Sequence, residues 1–293
     1  MKHASDMVRI KSIFGVLQTL PNGRGLPWLF LAAITAGWTG RAEPSKEVEP
    51  VGIYLHTTEN DTATLSFQQP DSSKLEPGSE SPIPFFFAIK SPKWPNGMIP
   101  IYQARDKQTK QWKLSRRLTH GKENFTDPLF FALPPASGSN EGILSGRWAC
   151  EAKHWDGSVD FLHWEMGLDG ETIFGRFDQD TDYRFAWMIG GTFKDPNLHF
   201  KAEYIDANYE LEGSLTSNIL KGTWKQTEDA DGGTWTAEPA YPVEMANGKW
   251  KVVHLYQTTS STTGKQELSV EAAMPLPDDS QILCRVWLPK KQP

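Results

Sequence analysis

The sequence predicts an all-β protein in which an eight-stranded antiparallel meander barrel interrupts a threefold-repeat domain. Three observations carry that expectation. Between Gly146 and Glu238, apolar and polar residues alternate with a period of two in one short segment after another, the pattern of strands with one buried face. The segments are separated by Asp156-Gly157, Asp169-Gly170, Asp195-Pro196-Asn197, Asn208, Ser217-Asn218 and Asp231-Gly232, residue types that tolerate the backbone angles of hairpin turns. Outside this stretch, a short apolar strand ending in tyrosine recurs at Tyr54, Tyr102 and Tyr256.

In chain order, residues 1–42 read as a secretory signal peptide. Lys2, Arg9, Lys11 and Arg24 precede an apolar run from Leu26 to Trp38 that is too short to span a bilayer comfortably, and Gly40 and Ala42 suit cleavage before Glu43. The expected location is therefore secreted, periplasmic or cell envelope, with an uncleaved membrane anchor as the alternative.

Residues 43–139 and 246–293 form the repeat domain, split in sequence. Its first copy runs from Val51-Gly-Ile-Tyr54 to Pro84-Phe-Phe-Phe-Ala-Ile89, and its second from Ile99-Pro-Ile-Tyr102 to Pro128-Leu-Phe-Phe-Ala-Leu133. The third runs from Val253-His-Leu-Tyr256 to Ile282-Leu-Cys-Arg-Val-Trp287. Tyr54 and Tyr102 stand 48 positions apart, and setting aside residues 140–245 brings Tyr102 and Tyr256 to the same spacing. Repeats of this period each supply one supersecondary unit of a shared core. The opening and closing strands resemble a bacterial secreted repeat of unknown function, and they also resemble a β-trefoil lectin. Residues 140–245 are then a domain inserted in a surface loop, where insertion is tolerated.

Within the insert, Ile189, Gly191 and Phe193 share one face, as do Leu198, Phe200 and Ala202, then Tyr209, Leu211, Gly213 and Leu215, then Leu220, Gly222 and Trp224. Eight such strands bury their apolar faces and lose their exposed edges by closing into a barrel, with an open sandwich as the alternative. Gly146-Arg147-Trp148 in the first strand and Gly222-Thr223-Trp224 in the seventh resemble the calycin superfamily of avidins and lipocalins. That resemblance implies a meander barrel able to hold a small ligand. The inward glycines Gly175, Gly191, Gly213 and Gly222 have two readings: they let the strands coil sharply enough to close, or they leave room for a ligand. The expected ligand-binding residues are Trp148, Trp187 and Trp224, with Arg176 and Phe177.

The rest of the chemistry narrows the classes of function. A formal net charge of -6 argues against nucleic-acid binding, which needs a concentrated basic face. No Gly-Xaa-Ser-Xaa-Gly elbow, phosphate loop or HExxH zinc motif occurs, so no catalytic residue, metal or cofactor is expected. His154 and His163 lie near Asp156, Asp160 and Glu165 on the first hairpin and read as a solvated hairpin rather than metal ligands. Asp178-Gln-Asp180-Thr-Asp182 lacks the glycine and closing glutamate of a calcium loop. Cys150 and Cys284 read as buried thiols, with one interdomain disulfide as the alternative. Asn60-Asp-Thr62 and Asn124-Phe-Thr126 fit glycosylation sequons. Trp94, Trp112, Trp155, Trp164 and Trp250 lie near turns or strand ends, where an indole can stack on a sugar ring. The expectation is an exported, non-catalytic binding or structural protein contacting a glycan or a small apolar molecule. Its rivals are an enzyme using lumen residues such as Arg176, His163 or Glu165, and a scaffolding protein.

Overall fold

The computed structural model describes residues 45–57, 63–69, 83–105, 112–117, 127–177, 188–203, 207–245, 248–259, 266–270 and 280–290. The signal segment, Trp187, the Asp178–Asp182 loop and both sequons lie outside the described residues. Before the insert come β1 (Lys46–Val48), β2 (Val51–Thr57), β3 (Ala63–Ser66), β4 (Phe86–Ala88), β5 (Ile99–Arg105), β6 (Trp112–Ser115) and β7 (Phe130–Ala132). A short helix, α1 (Asn140–Leu144), leads into the insert. There follow β8 (Gly146–His154), β9 (Val159–Asp169), β10 (Thr172–Phe177), β11 (Met188–Lys194), β12 (Asn197–Glu203), β13 (Asn208–Thr216), β14 (Ile219–Gln226) and β15 (Gly232–Pro239). The chain ends through β16 (Val243–Met245), β17 (Trp250–Thr259), β18 (Gln266–Val270) and β19 (Ser280–Pro289).

Strands β8 to β15 close into an antiparallel barrel, each pairing with the next and β15 returning to β8. The closed barrel, not the open sandwich, is the architecture, because closure leaves no unpaired edge on eight amphipathic strands. Alternation sets the inside: Ile189, Phe193, Leu198, Phe200, Leu211, Leu220, Trp224 and Trp235 pack into one core with Trp148, Trp164 and Met166 from β8 and β9. Ser217 and Asn218 both take positive φ, 51° and 65°, at the tight turn between β13 and β14. That conformation is the mirror-image turn whose twist matches the strands.

The flanking strands build a six-stranded sheet, ordered β18-β17-β19-β4-β2-β3, and a three-stranded sheet, β6-β5-β7. Strands β2, β5 and β17 each have a neighbour on both sides. Tyr54 pairs with Ser66, Tyr102 with Ser115 and Tyr256 with Ser269. On the other side Ile53 pairs with Phe86, Ile101 with Phe130 and Leu255 with Cys284. The outer strands then meet one another through Ile89 with Phe131, Leu133 with Arg285 and Trp287 with Phe87. Residues from both sheets share a core that includes Ile53, Phe86, Ile101, Phe130, Leu255 and Cys284.

A smaller cluster joins the barrel to these sheets: Phe174 of β10 packs with Ile89, Trp94, Met98, Phe131 and Trp287. Asn96 ties the same region together. Its side chain donates to the Arg147 carbonyl at 2.8 Å and accepts the Tyr241 backbone N–H at 2.7 Å. Cys150 and Cys284 are both free and buried. Burial raises the thiol pKa of each, because the thiolate is the form that desolvation penalises.

Candidate functional site

The described part of the barrel lumen is packed with aromatic rings. Trp164, Phe200 and Trp235 form a mutual edge-to-face triad with centroids 5.4 to 5.9 Å apart. Gly213 and Gly222 face each other across β13 and β14, and Gly222 in turn faces Trp235. A Cβ at Gly213 would lie 2.7 Å from the Trp235 ring, and one at Gly222 would collide with the Glu212 carbonyl oxygen on the neighbouring strand. These glycines therefore let the strands approach and coil, and the room they leave is taken by Trp235, whose Nε1 donates to the Thr223 carbonyl at 3.0 Å.

Trp148 has no exposed surface and donates its Nε1–H to the Leu144 carbonyl at 2.9 Å, so it anchors α1 to the barrel core. Trp224 is buried at the barrel end, its ring 4.8 Å from His154 and 5.7 Å from Tyr209. Trp187 and the Phe177 side chain lie outside the described residues. Arg176, His163 and Glu165 do not face the lumen. Adjacent strand residues point to opposite sides, so with Gly175 and Trp164 inward, Arg176, Glu165 and His163 point out.

On that outer side Arg176 Nε donates to Glu165 Oε2 at 2.7 Å, and the Trp94 backbone N–H donates to Glu165 Oε1 at 3.2 Å. Asp127 lies 3.4 Å from Arg176 Nη1. Burial disfavours the guanidinium charge, but Glu165 more than offsets that and raises the Arg176 pKa. Burial likewise pushes the Tyr102 phenol up, against the nearby Arg176. The group is a largely buried ion pair on the outer side of β9 and β10 that also bonds the Trp94 backbone.

The open surface lies on the far wall, across β11 to β15. A groove of about 860 Å³ is lined there by outward residues including Thr192, His199, Glu212, Lys221, Thr223 and Thr234. Register sets them in rows: Thr192, His199, Glu212, Thr223 and Thr234 run across five strands. Beside that row Lys201, Glu210 and Lys225 alternate in charge, with Glu210 3.1 Å from Lys201 and 2.8 Å from Lys225.

Trp155 stands at the end of this row. Its side chain is 71% exposed, whereas Trp94 and Trp164 are buried and Trp112 and Trp250 half-buried. Trp155 is held by the tight turn of the β8–β9 hairpin, where Gly157 takes φ 88°. Its backbone N–H donates to the Gly232 carbonyl at 3.0 Å. The indole lies over the outer face of Gly232, where a Cβ would come within 2.9 Å of the ring. Gly232 pairs with Lys225, so the ring extends the charged row.

Next to it, His154 is bonded on both ring nitrogens: Nδ1 lies 3.1 Å from Asp231 and Nε2 3.0 Å from Asp160. Both ring nitrogens are thus taken, which leaves no lone pair for a metal. Among the described residues no three His, Cys, Asp or Glu side chains form a metal-binding group. Sequence reasoning included Trp155 among five candidate stacking tryptophans but missed Asp231, which is remote in sequence from His154. The signal that sets Trp155 apart is its place immediately before the Asp156-Gly157 turn, at the end of β8.

Comparison with protein-family models, curated proteins and solved structures gave no significant match, so any function rests on the residues themselves.

Proposed function

We propose that this is an exported, non-catalytic binding protein that takes a glycan on the outer wall of its barrel, with the Trp155 indole as the stacking surface. The observation that carries the reading is the 71% exposure of Trp155 on a backbone pinned to Gly232. A large ring left in water gains about 25 cal/mol per Å² when apolar surface covers it. A sugar ring matches it, because its C–H face stacks on the indole while its hydroxyls reach the threonine, lysine and glutamate side chains of the adjoining rows. A small apolar molecule would suit an enclosed, mostly apolar pocket, and the described lumen is filled by Trp164, Phe200 and Trp235 instead. The same filling argues against an enzyme working inside the barrel.

The finer architecture belongs to this proposal. We read the flanking strands as three copies of one motif around a shared axis, with the barrel inserted between the second and third. The pairings support it: the same register recurs at Tyr54, Tyr102 and Tyr256, and the bridges between outer strands run cyclically from first copy to second, second to third and third to first. Whether the copies descend from the secreted repeat or from a trefoil lectin does not bear on the Trp155 surface.

A glycan array probed with the full chain, followed by titration of the strongest hit, tests the binding. Trp155→Ala is expected to weaken it about tenfold or more, a loss of roughly 1.4 kcal/mol. Silence across the array, or a variant that binds as tightly as the parent, overturns the reading.

A further inference from the structure

His154 joins the two strands of its own hairpin to a turn 77 positions further along the chain. Its ring ends β8, Asp160 comes from β9, and Asp231 comes from the turn between β14 and β15. A neutral imidazole has one N–H and one lone pair, so it can donate to only one of two carboxylates and must present its lone pair to the other. Contacts of 3.0 and 3.1 Å to carboxylate oxygens on both nitrogens are therefore the geometry of the imidazolium. Asp156 on the β8–β9 turn adds a third nearby carboxylate. From β14 the packing group is the ring of Trp224, edge-on with its centroid 4.8 Å from the imidazole.

The contacts continue from His154 to the exposed indole. The other oxygen of Asp231 accepts the Gly232 N–H at 2.7 Å, and the Asp231 carbonyl accepts the Gln226 N–H at 3.0 Å. Gly232 in turn accepts the Trp155 N–H and lies under its ring. We propose that His154 is a proton-dependent latch: its charged ring clamps the β14–β15 turn to the β8–β9 hairpin and so fixes the Trp155 platform. When the proton leaves, one carboxylate contact becomes repulsive, the turn is released, and the indole loses its fixed seat. The part of this that concerns ligand rests on the glycan reading; the latch itself does not.

The titration has a definite sign. Partial burial works to lower the His154 pKa, and the hydrogen bonds and charges of Asp160 and Asp231 together more than reverse that, leaving it above the ordinary histidine value. The clamp is then fully closed below the unfolded-state value of about 6.5 and opens as pH rises through the raised folded value.

Nuclear magnetic resonance on the full chain separates the two ideas. The His154 ring signal, assigned with His154→Gln, is followed against pH together with the Trp155 indole N–H signal and the exchange rates of the Gly232 and Trp155 amides. The latch requires that the indole signal and both exchange rates move with the His154 titration, exchange becoming several-fold faster on the alkaline side. It also requires that Asp231→Asn lower the His154 pKa and shift these transitions with it. Indole and amide signals that ignore the His154 titration overturn the latch, as does a His154 pKa unchanged in Asp231→Asn. Should that variant fail to fold, the titration of the parent chain decides alone. Glycan affinity measured across the same pH range is the separate arm. Affinity that falls with the His154 titration supports both ideas. No glycan binding alongside a coupled indole leaves the latch standing and removes the glycan reading, and pH-independent affinity with an uncoupled indole does the reverse.

Discussion

At the scale of single residues, the barrel wall shows how alternation sorts chemistry. Glu210 and Leu211 are neighbours, yet Leu211 lies in the core and Glu210 lies outside between two lysines. Hydrogen bonds from Lys225 and then Lys201 hold the Glu210 carboxyl at about 2, well below the usual carboxylate range. A depressed folded pKa gives stability that is present above the unfolded value of about 4.3 and is lost as pH falls through the folded one. Glu210→Gln should therefore leave a protein whose acid limb is flatter between those two values, read by denaturant midpoints from pH 5 down to 2. An acid limb that overlays that of the parent would show the two lysine contacts to be inert, as many exposed ion pairs are.

At the scale of elements, β9 and β10 each have to serve two surfaces. Their inward residues, Trp164, Met166, Leu168 and Ile173, belong to the barrel core, while Phe174 turns out to meet Trp94 and Phe131. Glu165 sits in that outer contact with only 4% of its side chain exposed. It is the one carboxylate there that both pairs Arg176 and caps the Trp94 backbone N–H. Removing one partner of a buried ion pair strands the other, at a cost of about 3–5 kcal/mol. Glu165→Gln keeps the shape and removes the charge, so urea unfolding should show a loss of that size. A loss below about 1 kcal/mol would mean that Asp127, 3.4 Å from Arg176, is a sufficient counter-charge on its own.

At the scale of the whole molecule, the barrel closes entirely on its own strands, whereas the six-stranded sheet draws β2 to β4 from before it and β17 to β19 from after it. A fragment spanning residues 140–245 should then fold alone with a cooperative thermal transition, less stable than the full chain because Phe174 and the Glu165–Arg176 pair lose their cover. Circular dichroism melting reads this directly. A fragment without a cooperative transition would sink the insertion reading, since closure would then depend on the flanking strands.

The sequence determined the barrel almost by itself. Period-two faces and glycine-rich or asparagine turns are local signals, and closing eight such strands is the physical way to bury their apolar side, so Phe193, Phe200 and Leu211 were legible as core. Trp148 and Trp224 were legible as inward but not as packed, because whether a glycine opposite leaves a gap depends on which ring crosses the lumen to fill it. Arg176 was misplaced by one step of a strict alternation. Tertiary structure alone decided that Asp231 reaches His154 across 77 positions and that Glu165 is covered by Trp94. Those facts depend on contacts between strands far apart in the chain, and no local pattern encodes which distant turn will lie beside a given side chain.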